Sequence, residues 1–230
     1  MTVPPPRHVL AFDTAMSQCA AALYDPDSGV CAARTEDTLH GHAGRLVPLI
    51  DALVETCGKS YDCIGLIAVT TGPGSFTGLR VGLSCARGLA LALGVPVRGF
   101  GTLETLAAQL LVSHAESESI LALVETRRDN LFWQSFDRCG RPLGPAQDSA
   151  PEDVPLEGCA ALCGDGVARF LAHRPEACGL YAPAACRAID VGYLAERAAR
   201  EEEANAPPRP AIPLYIRPPD VKPRADTTGL

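Results

Sequence analysis

The run CIGLIAVTT (63–71) passes directly into GPGSFTG (72–78), and no further proline follows until Pro96. A short, nearly continuous apolar run suits a strand covered on both faces. The glycine-rich turn and the long proline-free stretch after it predict a helix from about Phe76 to Leu93, ended by Gly94 and Pro96. PVRGF (96–100) then reads as a further strand. A strand that feeds a helix and returns as a strand calls for parallel pairing, and so for an α/β sheet with a helix packed on it.

The flanking segments extend this reading. HVLAFDTA (8–15) is an apolar run ending in Asp-Thr, and QCAAALYD, the turn PDSG and VCAARTED follow it, which predicts a three-strand meander. A helix is expected from about His42 to Thr56, stopped by Gly58. The first unit, residues 1–101, is therefore α/β with a mixed sheet. A second unit, residues 102–230, opens with a helix to about His114. SILALVETRRDNLFWQSFDRCG (119–140) reads as a hairpin with Arg128, Asp129 and Asn130 near its tip, and residues 142–158 as a loop. CAALCGDG gives a strand, VARFLAHR a short helix and AIDVGYLAERAAREEE an amphipathic helix. The Pro- and Arg-rich tail, NAPPRPAIPLYIRPPDVKPRADTTGL, is expected to be extended and to fray at its end.

Hydrophobic residues make up 47% of the 230, enough for a substantial core, and the net charge of −7 offers no basic face. A nucleic-acid role would depend on a partner. MTVPPPRHVLAFD lacks the pattern of a signal peptide, and no run of about 18 apolar residues reads as a membrane span. The ten cysteines include no CxxC pair and read as reduced thiols. A cytoplasmic protein is expected, with no membrane contact.

The glycine loop raises the question of phosphate binding. Gly72, Gly74 and Gly78 form GxGxxxG, one residue longer than the dinucleotide fingerprint, and Leu79 stands where a P-loop would have lysine. The turn therefore reads as one that needs glycine dihedrals, stiffened by Pro73. Asp13 and Thr14 end the first strand, where α/β proteins place ligands. Asp13 could hold Mg²⁺ through water and Thr14 could touch a phosphate. Together with Gly72 and Gly74 they are the candidate nucleotide-binding residues, and an ATP-dependent phosphotransferase is the alternative they define. His40 and His42 make an HxH pair that would share a face only on a strand. No metal site and no catalytic residue is expected.

The two helices point elsewhere. On a helical wheel Leu79, Leu83, Ala86, Ala90 and Leu93 share a face. Gly78, Gly82, Ala86 and Ala90 form a small-residue ridge at i+4 spacing. The apolar arc spans about 200°, wider than a one-sided surface helix requires. The preceding helix shows the same excess through Leu46, Ile50 and Leu53, flanked by Val47, Leu49 and Val54. Both are expected to present these faces to a partner.

Three segments carry a resemblance: LAFDTAMSQCAAALYD, HAGRLVPLIDALV and IAVTTGPGSFTGLRVGLSCARGLALALGVPVRGFGTLETLA. Over about Val9 to Ala107 they closely resemble the TsaB (YeaZ) family, with a looser match through VETRRDNLFWQSF and PLYIRPPDVK. The resemblance implies an actin/Hsp70/sugar-kinase-like (ribonuclease H-like) fold of two related subdomains with mixed sheets. It implies a non-catalytic paralogue of TsaD, the subunit that transfers threonylcarbamoyl to adenosine 37 of tRNA. TsaD carries metal-binding histidines as HxxxH, whereas this helix has Arg45 and Leu46 where a second ligand would fall. The implied partners are a TsaD-like catalytic subunit, a TsaE-like ATPase, or a second copy through the same helices. ATP or ADP and Mg²⁺ would belong to those partners, and tRNA would be reached only through the complex.

Overall fold

The computed structural model describes residues 7–37, 41–114, 118–126 and 128–217. Two sheets organise the chain. In the first, β1 (His8–Asp13), β2 (Gln18–Asp25) and β3 (Gly29–Asp37) form the expected antiparallel meander. β4 (Ile64–Gly72) and β5 (Val97–Gly101) join β1 in parallel, giving the order β3-β2-β1-β4-β5. The second sheet has β6 (Ser119–Glu125), β7 (Leu131–Asp137), β8 (Gln147–Ser149) and β9 (Ala161–Cys163) in the order β8-β7-β6-β9, with only β6 and β9 parallel. The short β8 falls inside the segment expected to be a loop. It pairs with β7, and Asn130 Nδ2 donates to Asp148 Oδ1 at 2.8 Å.

Alternation along β1 and β2 sorts the first sheet into two buried faces. Leu10, Phe12, Ala21 and Leu23 meet α1 (His42–Thr56) and α2 (Phe76–Leu93). Val9, Ala11, Ala20 and Ala22 face the other way. That second core also takes in α3 (Thr102–Ser113), one face of β6, and α5 (Val191–Glu203). α5 belongs to the second half of the chain yet packs on β1 and β2. The two sheets thus divide near residue 101, while the core between them is continuous. α4 (Val167–His173) covers the remaining face of the second sheet through Val167 and Phe170.

Side-chain caps start α2 and α5, and glycine ends α2 as expected. Ser75 accepts from Gly78 N at the start of α2, and Gly94 ends that helix at φ 69°. Asp190 accepts from Gly192 N at 2.8 Å and Tyr193 N at 3.1 Å at the start of α5. By length and composition α2 could cross a membrane, but Leu79, Leu83 and Ala86 bury one side of it against the first sheet.

The tail is extended as expected, and through residue 217 it is fastened to the protein. It runs along β5, the edge of the first sheet. Gly99 N donates to Arg209 O at 2.9 Å and Leu214 N to Thr71 O at 2.7 Å. A Cβ on Gly99 would lie 2.7 Å from Pro210 O, so only glycine admits the strap this close. The strap covers ladder groups that an open edge would expose. The expected fraying at the end of the tail falls outside the described residues.

Charges lock the strap at its root. Arg209 bonds Glu201 at 2.6 Å and Glu104 at 3.2 Å, and Arg197 also pairs with Glu104. Burial opposes the charge on Glu104, but Arg197 and Arg209 more than offset it and hold the carboxyl below the usual glutamate range. Glu104→Gln should cost about 1–3 kcal/mol, because two part-buried guanidinium groups lose a shared carboxylate. Hydrogen exchange should report it as faster exchange at the Leu214 amide, with the β1 amides still protected.

Candidate functional site: a helical face and a buried carboxylate pair

The glycine loop is packed against the turn that follows β1. Gly72 sits at φ 100°, a conformation that requires glycine. Ser75 N donates to Ala15 O at 2.7 Å, and the Thr14 hydroxyl donates to Gly78 O at 2.7 Å. A Cβ on Gly78 would lie 1.9 Å from Thr14 O, one on Gly74 2.3 Å from Ala15 O, and one on Gly82 2.5 Å from Thr14 Oγ1. These glycines make room for the protein's own turn. The expectation that Gly78 and Gly82 let a partner helix come near is therefore corrected: the ridge they form faces inward.

The structure does bring Asp13, Thr14, Gly72 and Gly74 together. Several donors around them are already used: the Thr14 hydroxyl and the N–H groups of Ser75 and Gly78 all donate within the protein. A phosphate cradle needs donors free to point at the anion, and these three are not.

Carboxylates gather beside this turn. Asp13 is fully buried. Its Oδ1 accepts from Ala15 N at 3.0 Å and from the Thr70 hydroxyl, while Oδ2 has no hydrogen-bond partner. Burial pushes its pKa up, with the Thr70 and Ala15 hydrogen bonds pulling the other way. Asp165 follows β9 and accepts from Glu125 N at 2.8 Å. Burial raises its pKa to about 6, and the charges of Glu125 and Asp13 add to the rise. Asp13 thus comes from the first sheet and Asp165 from the second, and they lie close enough for the charge of one to act on the other. Sequence reading missed Asp165. Its signal was CGDG after an apolar run, the same strand-end position that drew attention to Asp13.

The helical face also needs correction. Leu46, Leu49, Ile50, Leu53, Val54, Leu79, Leu83 and Ala86 are buried in the subunit, as are Gly78 and Gly82. Ala90 is half-buried, and of the expected interface residues only Val47 is exposed, at 48%. The wide apolar arcs are used up because α1 and α2 pack on each other as well as on the sheet, so each helix covers two surfaces. What remains outside is a groove between them of about 490 Å³, lined by Val47, Phe76, Arg80, Val81, Ser84 and Cys85 among others. The Arg80 guanidinium stacks 3.8 Å from the Phe76 ring centroid, and Tyr215 of the strap lies against the same ring at 5.2 Å. Leu91, further along α2, is 87% exposed. The HxH reading at His40 and His42 falls outside the described residues and side chains.

A family model described as TsaD, tRNA N6-adenosine threonylcarbamoyltransferase, matches residues 33–155. The tRNA threonylcarbamoyladenosine biosynthesis protein TsaB of Escherichia coli (strain K12) is 34% identical over 130 residues, 56% of this chain and 55% of that protein. The structure of YeaZ from Pseudomonas aeruginosa superposes with a TM-score of 0.74 at 26% identity, covering 90% of this chain and 99% of that one. The chain belongs to the TsaB/YeaZ family. An uncharacterized protein of Mycobacterium tuberculosis (strain ATCC 25618 / H37Rv) is 31% identical across 96% of both chains. The matches to curated TsaB proteins span between 54% and 60% of their length. A Bacteroides thetaiotaomicron protein with an actin-like ATPase fold shares the architecture at a TM-score of 0.50 and 12% identity, covering 84% of this chain and 98% of that one. The fold is thus α/β of the actin-like type, with a mixed sheet in each half.

Two outcomes follow from this geometry. Gly78→Val would drive a side chain into the Thr14 carbonyl and should destabilise the fold by about 3 kcal/mol or more in urea unfolding. Asp165 is an acid whose folded pKa lies above its unfolded value of 3.8. Its stabilising contribution is complete below about pH 4 and disappears as pH rises to about 6. Asp165→Asn keeps an acceptor for Glu125 N. The stability of the native protein relative to this variant should therefore fall by about 2 kcal/mol between pH 4 and pH 7.

Proposed function

We propose that this chain is a non-catalytic subunit in the formation of threonylcarbamoyladenosine in tRNA. It pairs with a TsaD-like threonylcarbamoyltransferase through the α1/α2 groove, and the pair recruits a TsaE-like ATPase. The observation that carries the pairing is the exposed apolar strip formed by Val47 and Phe76, with Arg80 laid over Phe76. Large apolar groups beside an arginine are what docking surfaces concentrate. Membership in the TsaB/YeaZ family and the name of the Escherichia coli relative support the pathway. In this reading ATP or ADP and Mg²⁺ are handled by the partners, tRNA is met only in the complex, and the work is done in the cytoplasm. A second copy of the chain would compete for the same groove.

Exposed and buried substitutions should separate docking from folding. Val47→Glu combined with Phe76→Glu should weaken capture of the TsaD-like subunit by about 100-fold or more, with the melting temperature near that of the native chain. Ile50→Glu and Leu83→Glu should instead unfold the subunit, because both side chains are buried, at 0% and 3% exposure. Undiminished co-purification of the double variant would overturn the proposed face. Calorimetry of the isolated chain with ATP and Mg²⁺ tests the phosphotransferase alternative, which requires binding and turnover without a partner.

A further inference from the structure

The opposite end of β1 holds a donor set that neither the proposed docking face nor the buried carboxylate pair uses. Val9 pairs with Tyr24, so the next rung places His8 across from Asp25. The His8 Nε2–Asp25 Oδ2 separation is 3.8 Å, too long for a hydrogen bond. Nε2 is buried and has no hydrogen-bond partner. The pairing of β2 with β3 steps from Leu23 opposite Ala32 to Tyr24 opposite Val30. Cys31 is therefore the extra residue of a bulge, and bulges re-aim side chains that regular alternation would send to the other face. One ring nitrogen of His8, one carboxylate oxygen of Asp25 and Sγ of Cys31 all lie within 4.8 Å of one another.

We propose that His8, Asp25 and Cys31 form a binding site for a divalent cation of the zinc class. A neutral imidazole, a carboxylate and a thiolate supply two negative charges, which balance a divalent ion. Nitrogen, oxygen and sulfur donors together suit zinc rather than magnesium or calcium, which take oxygen. Tetrahedral zinc with bonds of about 2.0–2.3 Å sets donor separations of about 3.3–3.7 Å. The present spacing closes to that range with a movement of about 1 Å, and Cys31 is exposed and can rotate. Asp25 is already oriented, because its two oxygens accept from Asp27 N and Ser28 Oγ, both at 3.0 Å. Three protein donors leave the fourth position to water or to a further thiol, and Cys57 and Cys63 both lie near enough to feel the charge of Cys31. Bound metal would tie β1, β2 and β3 together at the open edge of the first sheet. No sequence spacing announces such a site, since each strand contributes one ligand.

The test uses the full chain, reduced and freed of metal by a chelator, and zinc in competition with a chromophoric chelator. One equivalent should bind, and zinc should raise the melting temperature of the native chain. Cobalt in place of zinc should give a thiolate charge-transfer band. His8→Gln and Cys31→Ser should each weaken binding at least about tenfold and abolish the thermal shift. Melting in chelator, where both variants should match the native chain, separates lost binding from lost folding. The proposal is overturned if the native chain binds no equivalent, or if His8→Gln binds zinc as well as the native chain does. It is equally overturned if a Cys57→Ser, Cys63→Ser double variant loses the site while Cys31→Ser keeps it.

Discussion

The close approach of the Asp13–Thr14–Ala15 turn to the glycine loop sets the geometry of everything around it. The turn ends β1 and the loop ends β4, two parallel neighbours at the centre of the first sheet. Their joining bonds are Ser75 N to Ala15 O and Thr14 Oγ1 to Gly78 O. They fix the direction in which α2 leaves the sheet. That direction lays Leu79, Leu83 and Ala86 on the sheet and leaves Phe76 and Arg80 facing out. A side chain at Gly74 or Gly78 would collide with backbone oxygen, which cannot move aside without displacing the strand. The same part of the fold buries Asp13, whose pKa is raised by that burial.

Joining the two halves relies on a different kind of force. Packing of α5 on β1 and β2 makes the core between the sheets continuous, and this part is non-directional apolar burial. The strap adds direction. Arg197 and Arg209 each pair with both Glu104, far earlier in the chain, and nearby Glu201, and the root of the strap is held where they meet. The strap then reaches Tyr215, which lies tilted against Phe76 at the edge of the α1/α2 groove. Residues that fasten the tail thus border that groove.

Much of the fold was legible because its signals are local. β1 to β5, α1 and α2 follow from apolar runs, the PDSG turn and the stops at Gly58 and Gly94, and those patterns act within a few residues. The exposed α1/α2 face was legible only in part. A helical wheel shows that α1 and α2 carry more apolar surface than one sheet face needs. It cannot say whether the excess is covered by the other helix or by a partner. Most of it, including Leu46, Ile50, Leu79 and Leu83, is covered within the subunit, and the large apolar residues left exposed on the two helices are Val47, Phe76 and Leu91. Asp165 was missed because it comes near Asp13, 152 positions earlier in the chain, only in the folded structure.

The sequence alone determined the class of architecture, the order and type of most elements, and the resemblance to one family, since periodicity, turn chemistry and motif identity are properties of short segments. Only the tertiary structure decided which apolar faces are shared inside the subunit and what the glycines make room for. It also decided which donors from separate strands meet at His8, Asp25 and Cys31. Those outcomes depend on the register between strands, the bulge at Cys31 and the closeness of two backbones. The closeness of the backbones is set by pairing between segments far apart in the chain, and the bulge by a hairpin register that residue types alone do not fix.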